Sequence, residues 1–141
     1  IVLSGRIDDL DKLIIILKEN MIKSIKLPVS APFHCSLMNK ATQIMSKELN
    51  ELNFIQSENK LISNVTAKEI SSTDELRDLL IKQIENRVRW RESVINMINN
   101  DVNHFIEIGP GKVLSGLVKR INREVKIDTI NNQNDIENLK I

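Results

Sequence analysis

Short apolar runs alternate along this chain with stretches whose apolar residues recur every three or four positions, and that alternation constrains the fold more than any other feature. Ile1 to Ser4, ended by Gly5, reads as a buried strand, and Ser24 to Leu27, stopped by Pro28, reads as another. Between them Asp8 and Asp9 open a helix, favoured there by the positive end of the helix dipole. Its Leu10, Leu13, Ile14 and Leu17 fall at i, i+3, i+4 and i+7, on one face. Strand, helix, strand in so short a span is half of a split βαβ-type unit.

Pro28 to Ser36 is loop-like, since Pro28 and Pro32 deny regular backbone bonding. A second amphipathic helix follows, with Met38, Ala41, Met45, Leu49 and Leu52 as its stripe. Leu61 to Val65 reads as a strand, with Lys68 to Ile70 able to pair nearby. Ser72 or Thr73 caps the next helix, and Arg89 to Asn99 predicts another. His104 to Ile108 is a strand, Gly109-Pro110-Gly111 a tight turn, Lys112 to Ile121 a helix and Val125 to Ile130 a last strand, before a polar, weakly helical tail. The pattern predicts an α/β fold with a largely parallel sheet.

Aromatic residues make up only 3% of the 141 residues and Tyr is absent, so Ile, Leu, Val and Met must fill the core. Lys+Arg 20 against Asp+Glu 19 gives a net charge of +1, without the basic excess and stacking aromatics of a dedicated nucleic-acid binder. No apolar run approaches the ~20 residues of a membrane span. The single cysteine, Cys35, makes no intrachain disulfide framework and fits a reducing compartment, cytoplasmic or a plastid-like organelle. The chain lacks an initiator Met and opens inside an apolar run, so a fragment or processed product is expected.

His34 lies in the loop Pro32-Phe33-His34-Cys35-Ser36-Leu37-Met38, where an imidazole with an ordinary pKa near ~6.5 suits a general base. The same placement suits a histidine that merely caps the next helix or sits at the surface. Cys35 is its neighbour, but adjacent residues on an extended segment point apart, and a lone cysteine reads as a small buried apolar residue. Gln83 falls on the apolar stripe of Leu76, Leu79, Leu80 and Ile84. A polar side chain facing the core needs partners, at a cost on the order of 1–3 kcal/mol if it has none. Gln83 also lies near a helix end, where one of the last carbonyls, lacking intrahelical partners, can accept a histidine N–H. A glutamine that simply reaches solvent from the edge of the stripe satisfies the pattern equally.

Gly109-Pro110-Gly111-Lys112 lacks the spacing and the Ser/Thr of a phosphate loop, so a structural turn is the expectation, although its amides can face an anion. His104 reads as a surface residue, and Lys112, Lys119, Arg120 and Arg123 as a solvated helix face or a contact for an acidic partner. No Cys/His/acid cluster has metal-ligand spacing.

Several of these stretches together resemble the malonyl-CoA:acyl-carrier-protein transacylases. They are Leu27-Pro28-Val29-Ser30 through His34 to Met38, Ile62-Ser63-Asn64-Val65, Gln83 with Val88-Arg89-Trp90, and Glu107-Ile108-Gly109-Pro110-Gly111-Lys112-Val113-Leu114. The resemblance runs over nearly the whole chain and fades in the last dozen residues. It implies the C-terminal part of an α/β-hydrolase-like acyltransferase core (29–141), preceded by half of a ferredoxin-like small subdomain (1–28). It implies transfer of a malonyl group from malonyl-CoA to the phosphopantetheine thiol of acyl carrier protein through a serine ester. Coenzyme A thioester is then a substrate, and no cofactor or metal is expected.

Residue by residue, the resemblance makes His34 the catalytic base and the Gln83 carbonyl its orienting partner, in place of a triad carboxylate. It makes Phe33 a substrate-binding residue whose bulk crowds an α-methyl branch. The family's serine elbow, its carboxylate-binding arginine and its oxyanion-hole glutamine match nothing here, so the expected partner is an N-terminal half, and the chain alone is expected to be inactive. The alternatives are a non-catalytic docking module for acyl carrier protein and an acyl hydrolase.

Overall fold

A computed structural model describes residues 1–139. Its elements are α1 (Ile7–Glu19), a 3-10 turn (Ser36–Met38), α2 (Asn39–Glu51), α3 (Thr73–Lys82), α4 (Trp90–Asn99), β1 (His104–Ile108), α5 (Val113–Ile121), β2 (Lys126–Ile130) and α6 (Gln133–Glu137). The chain divides into two compact units, Ile1–Val88 and Arg89–Ile141. Mixed helices and a small parallel sheet agree with the α/β expectation.

In the first unit the stripe predicted for α1 is the face that is covered: Leu10, Leu13, Ile14 and Leu17 are half-buried while Ile7, Ile15 and Ile16 are exposed. On α2 the prediction holds for Met38, Ala41 and Leu49, whereas Met45 and Leu52 are exposed. α2 packs on α3, and Arg77 of α3 reaches across to its C-terminal end. The guanidinium donates from Nε to the Leu49 carbonyl at 3.2 Å and from Nη2 to that of Leu52 at 3.3 Å. Carbonyls that a helix end leaves without partners are thereby satisfied. Helix α3 begins at Ser72, whose hydroxyl accepts from the Glu75 N–H at 3.2 Å, so Ser72 and not Thr73 is the cap.

Three predicted strands are corrected. Ile1 to Ser4 and Ser24 to Leu27 form no ladder among the described residues, and Leu61 to Val65 is reduced to one antiparallel bridge between Ile62 and Glu69. An apolar run becomes a strand only when a second backbone lies alongside to exchange hydrogen bonds, which periodicity alone does not reveal.

The second unit carries the sheet. β1 and β2 are parallel, with His104 opposite Lys126 and Ile108 opposite Ile130, and α5 is the crossover between them. Val94, Val118 and Val125 form its core, with Trp90, Met97, Ile98, Phe105, Ile121 and Ile127 packed around them. The buried residues at its centre are all valines, and two of the chain's four aromatic residues, Trp90 and Phe105, pack against them. No helix among the described residues is long and apolar enough to cross a membrane.

Candidate active site

The loop before α2 places His34 at φ 61, a left-handed conformation uncommon for a residue with a Cβ and enriched at functional sites. Cys35 follows in extended conformation, its Sγ 3.2 Å from the Pro32 carbonyl, and the 3-10 turn then leads into α2. The ring of His34 reaches the end of α3, where Nδ1 lies 2.9 Å from the carbonyl oxygen of Gln83. A carbonyl only accepts, so Nδ1 carries the proton and donates it. The lone pair is thereby left on Nε2, which has no hydrogen-bond partner among the described residues. His34 as a whole is exposed.

Gln83 is the C-cap of α3, still in helical conformation (φ −66, ψ −18), so its carbonyl points past the last turn with no intrahelical donor. Its side chain is half-buried, and Oε1 accepts from Asn64 Nδ2 at 3.4 Å. Of the two readings of Gln83, the one with partners on the covered face is the one observed. Nearby, Asn39 Nδ2 donates to Glu85 Oε1 at 3.1 Å, linking the start of α2 to the turn after α3. Phe33, beside the histidine, is 50% exposed.

This is a histidine with one nitrogen held by a fixed acceptor and the other free, the arrangement of a general base in its correct tautomer. Cys35 is not paired with this ring: Nδ1 of His34 bonds the Gln83 carbonyl, and the thiol lies against the Pro32 carbonyl and the Ser4 hydroxyl. The expectation of a buried cysteine is corrected to a half-buried one.

The glycine turn belongs to the second unit and resolves as structure. Glu107 of β1 accepts from the Leu114 N–H at 3.0 Å and the Ser115 N–H at 2.7 Å, placing a carboxylate on the N-terminus of α5. Hydrogen bonds from Ser115 and, behind it, from Leu114 hold the Glu107 carboxyl below the usual glutamate range. Gly109 N–H donates to the Ile130 carbonyl and Gly111 N–H to Asn131 Oδ1. With φ 132 and 96, these glycines adopt backbone that other residues avoid. The amides of Gly109, Gly111, Leu114 and Ser115 are thus engaged within the chain. Sequence reasoning did not single out Glu107. Its signal was an acid one residue before the end of a strand, ahead of a helix whose cap residue, Lys112, has no side-chain oxygen to offer.

His104 is also corrected. It is 18% exposed, and its Nε2 lies 2.7 Å from Asp128 Oδ2, two positions along the neighbouring strand from its own partner Lys126. That hydrogen bond, more than the charge of Lys126, holds the Asp128 carboxyl below its ordinary value. Lys119 donates to the Arg123 carbonyl at 2.7 Å, and Lys112, Lys119, Arg120 and Arg123 lie on the exposed side. Among the described residues no group of three His, Cys, Asp or Glu side chains is placed to hold a metal.

Comparison with known proteins gives a consistent set of relatives. The malonyl CoA-acyl carrier protein transacylase of Bacillus subtilis is 38% identical over 138 residues, which are 97% of this chain and 44% of that protein. A crystal structure of the transacylase of that name from Clostridium perfringens superposes with a TM-score of 0.88 at 36% identity, covering 95% of this chain and 42% of that one. A type II polyketide synthase acyl-carrier protein in complex with its malonyl-transacylase gives 0.87 at 30% identity, covering 94% and 43%. No protein-family profile matches the chain. The chain therefore spans less than half the length of these relatives.

Proposed function

This chain belongs with the malonyl CoA-acyl carrier protein transacylases, corresponding to their C-terminal portion, and from that premise we propose that it supplies the catalytic base for malonyl transfer from coenzyme A to acyl carrier protein. The reading is carried by one observation, the 2.9 Å bond from His34 Nδ1 to the Gln83 carbonyl. On this reading the nucleophilic serine comes from polypeptide matching the rest of the relatives' length. Residues 1–28 then belong to the small ferredoxin-like subdomain and 29–141 to the large one.

In the first half-reaction the serine hydroxyl attacks the malonyl thioester while Nε2 of His34 takes its proton. The C–S bond breaks, and the departing coenzyme A sulfur takes that proton from the imidazolium. In the second, the phosphopantetheine thiol gives its proton to Nε2 and its sulfur attacks the serine ester. Serine leaves and recovers the proton. The imidazolium formed in each half is stabilised by the neutral Gln83 carbonyl through Nδ1–H, where a serine-protease-type triad has a carboxylate. Phe33, next to the base and half-exposed, is the residue we assign to crowding an α-branched acyl group. The acyl-carrier protein bound in the related complex makes that class of protein the proposed acceptor.

The test joins this chain to the upstream portion of the Bacillus subtilis relative and follows malonyl transfer to acyl carrier protein by mass. Malonylated carrier protein, lost in His34→Ala, is the expected result. Free malonate without malonylated carrier would instead make the protein a hydrolase. Carrier binding without turnover in either form would make it a docking module.

A further inference from the structure

The carbonyl that holds His34 sits where a helix is least secure. Gln83 ends α3, and the next two amides bond back at long range, Ile84 N–H to Ile81 and Glu85 N–H to Lys82, each at 3.3 Å, before Asn86 returns its N–H and its Nδ2 to the Lys82 carbonyl at 3.1 and 2.7 Å. Helix ends fray, and a carbonyl displaced by about 1 Å no longer makes a proper hydrogen bond. These bonds, and that of Asn39 to Glu85, hold the turn after Gln83, whereas the Gln83 residue itself is held from outside α3 through its side chain.

The loop that carries Asn64 is built to hold it. Ser63 is buried, and its hydroxyl accepts from the N–H groups of Val65 at 3.1 Å and Thr66 at 3.4 Å. Its own N–H donates to the Lys68 carbonyl at 2.9 Å, and its carbonyl accepts from Ala67 at 2.8 Å. Ala67 is buried with φ 57, so the loop is closed on itself and held at both ends. From this frame Asn64 Nδ2 donates to Gln83 Oε1 at 3.4 Å. With Ser63, the two amides form the polar part of a cleft of about 110 Å³ whose other walls are Leu61, Ile62, Ile70, Leu76, Leu79 and Leu80. Both amides are half-buried, and the bond, although long, ties the Gln83 side chain to a loop that is itself held by backbone hydrogen bonds.

We infer that Asn64 is a positioning residue for the acyl-transfer site: it anchors the Gln83 side chain so that the Gln83 carbonyl keeps His34 in the Nδ1–H tautomer with a bare Nε2. The relay runs loop to amide to carbonyl to imidazole, and it rests on the reading of His34 as the base.

The ring tautomer reports on the relay directly, without any need for turnover. Nitrogen-15 shifts of the His34 ring are recorded in the full chain at alkaline pH, where imidazole is neutral. Wild type, Asn64→Ala, Gln83→Leu and the double variant are compared, and His104→Gln assigns the signals of the two histidines. In wild type, Nδ1 should resonate as an N–H nitrogen and Nε2 as a bare one. Each single substitution should shrink the separation between the two shifts, and the double should shrink it no further, because one path carries both. Gln83→Leu keeps the carbonyl and puts an apolar residue on an apolar stripe, so it decides the matter if Asn64→Ala unfolds. Unchanged shifts in a folded variant, or a double effect equal to the sum of the singles, overturn the relay alone. A wild-type ring without Nδ1–H bias overturns the base assignment itself.

Discussion

The Nδ1 nitrogen of His34 and the main-chain carbonyl of Gln83, 49 residues apart in sequence, lie 2.9 Å from each other. The acceptor is backbone and the donor is side chain, so substitution at the two positions should have unequal consequences. In the reconstituted transacylase, His34→Ala should lower kcat/KM by about 10²–10⁴, the usual contribution of a positioned base. Gln83→Leu, which spares the carbonyl, should cost less than about tenfold by disturbing only how that carbonyl is held. Steady-state kinetics of the two variants checks this, and equal losses would remove the backbone acceptor from the mechanism.

Much of this relationship was legible from residue order. The stripe of Leu76, Leu79, Leu80 and Ile84 put Gln83 on a covered face near a helix end, where a partner for its amide and a use for one of the last carbonyls could be anticipated, and the family resemblance pointed to the carbonyl of Gln83 itself. What could not be read was pairing. His104 meets Asp128 because β1 and β2 lie parallel in one register, which no local pattern encodes. Asn64 meets Gln83 because a loop closes through Ser63, a contact settled only when the first unit folds. The predicted strands at Ile1 to Ser4 and Ser24 to Leu27 failed for the same reason, since strand character depends on a neighbour.

Glu107 stabilises the second unit only when ionised, because its carboxylate accepts from the Leu114 and Ser115 N–H groups. Its folded pKa lies below the ordinary value, through bonding from Ser115 first. The stabilisation is therefore complete above about 4.3, the ordinary glutamate value, and is lost as pH falls through the lower folded value. Thermal unfolding followed between pH 7 and 3 should show a falling midpoint in the wild type. Glu107→Gln should start lower and fall less steeply, whereas parallel curves for the two proteins would contradict the capping role.

The carboxyl of Asp128 is held down mainly by its hydrogen bond to His104, with Lys126 adding a smaller attraction at 3.6 Å. Replacing the imidazole with a group that cannot donate should release it. In His104→Phe, the Asp128 carboxyl carbon should titrate at a higher pH than in wild type, approaching the ordinary aspartate value of about 3.9. Carbon-13 NMR reads this directly. An unmoved titration in His104→Phe would transfer the effect to Lys126, and Lys126→Met would then be the variant that shifts it.

Val94 has 0% exposure and clusters with Val118 and Val125, with Trp90 and Phe105 among the side chains packed against them. With so few aromatic residues in the chain, this aliphatic cluster carries the interior of the second unit, and its neighbours are anchored on α4, α5 and the sheet. Val94→Ala removes two buried carbons and leaves a space that such neighbours fill only in part, so unfolding should become easier by about 2 kcal/mol. Urea denaturation should show the midpoint falling while the slope stays constant, because the surface exposed on unfolding barely changes. Leu114, on α5 yet 43% exposed, provides the contrast: Leu114→Ala should move the midpoint much less, although it deletes more carbon.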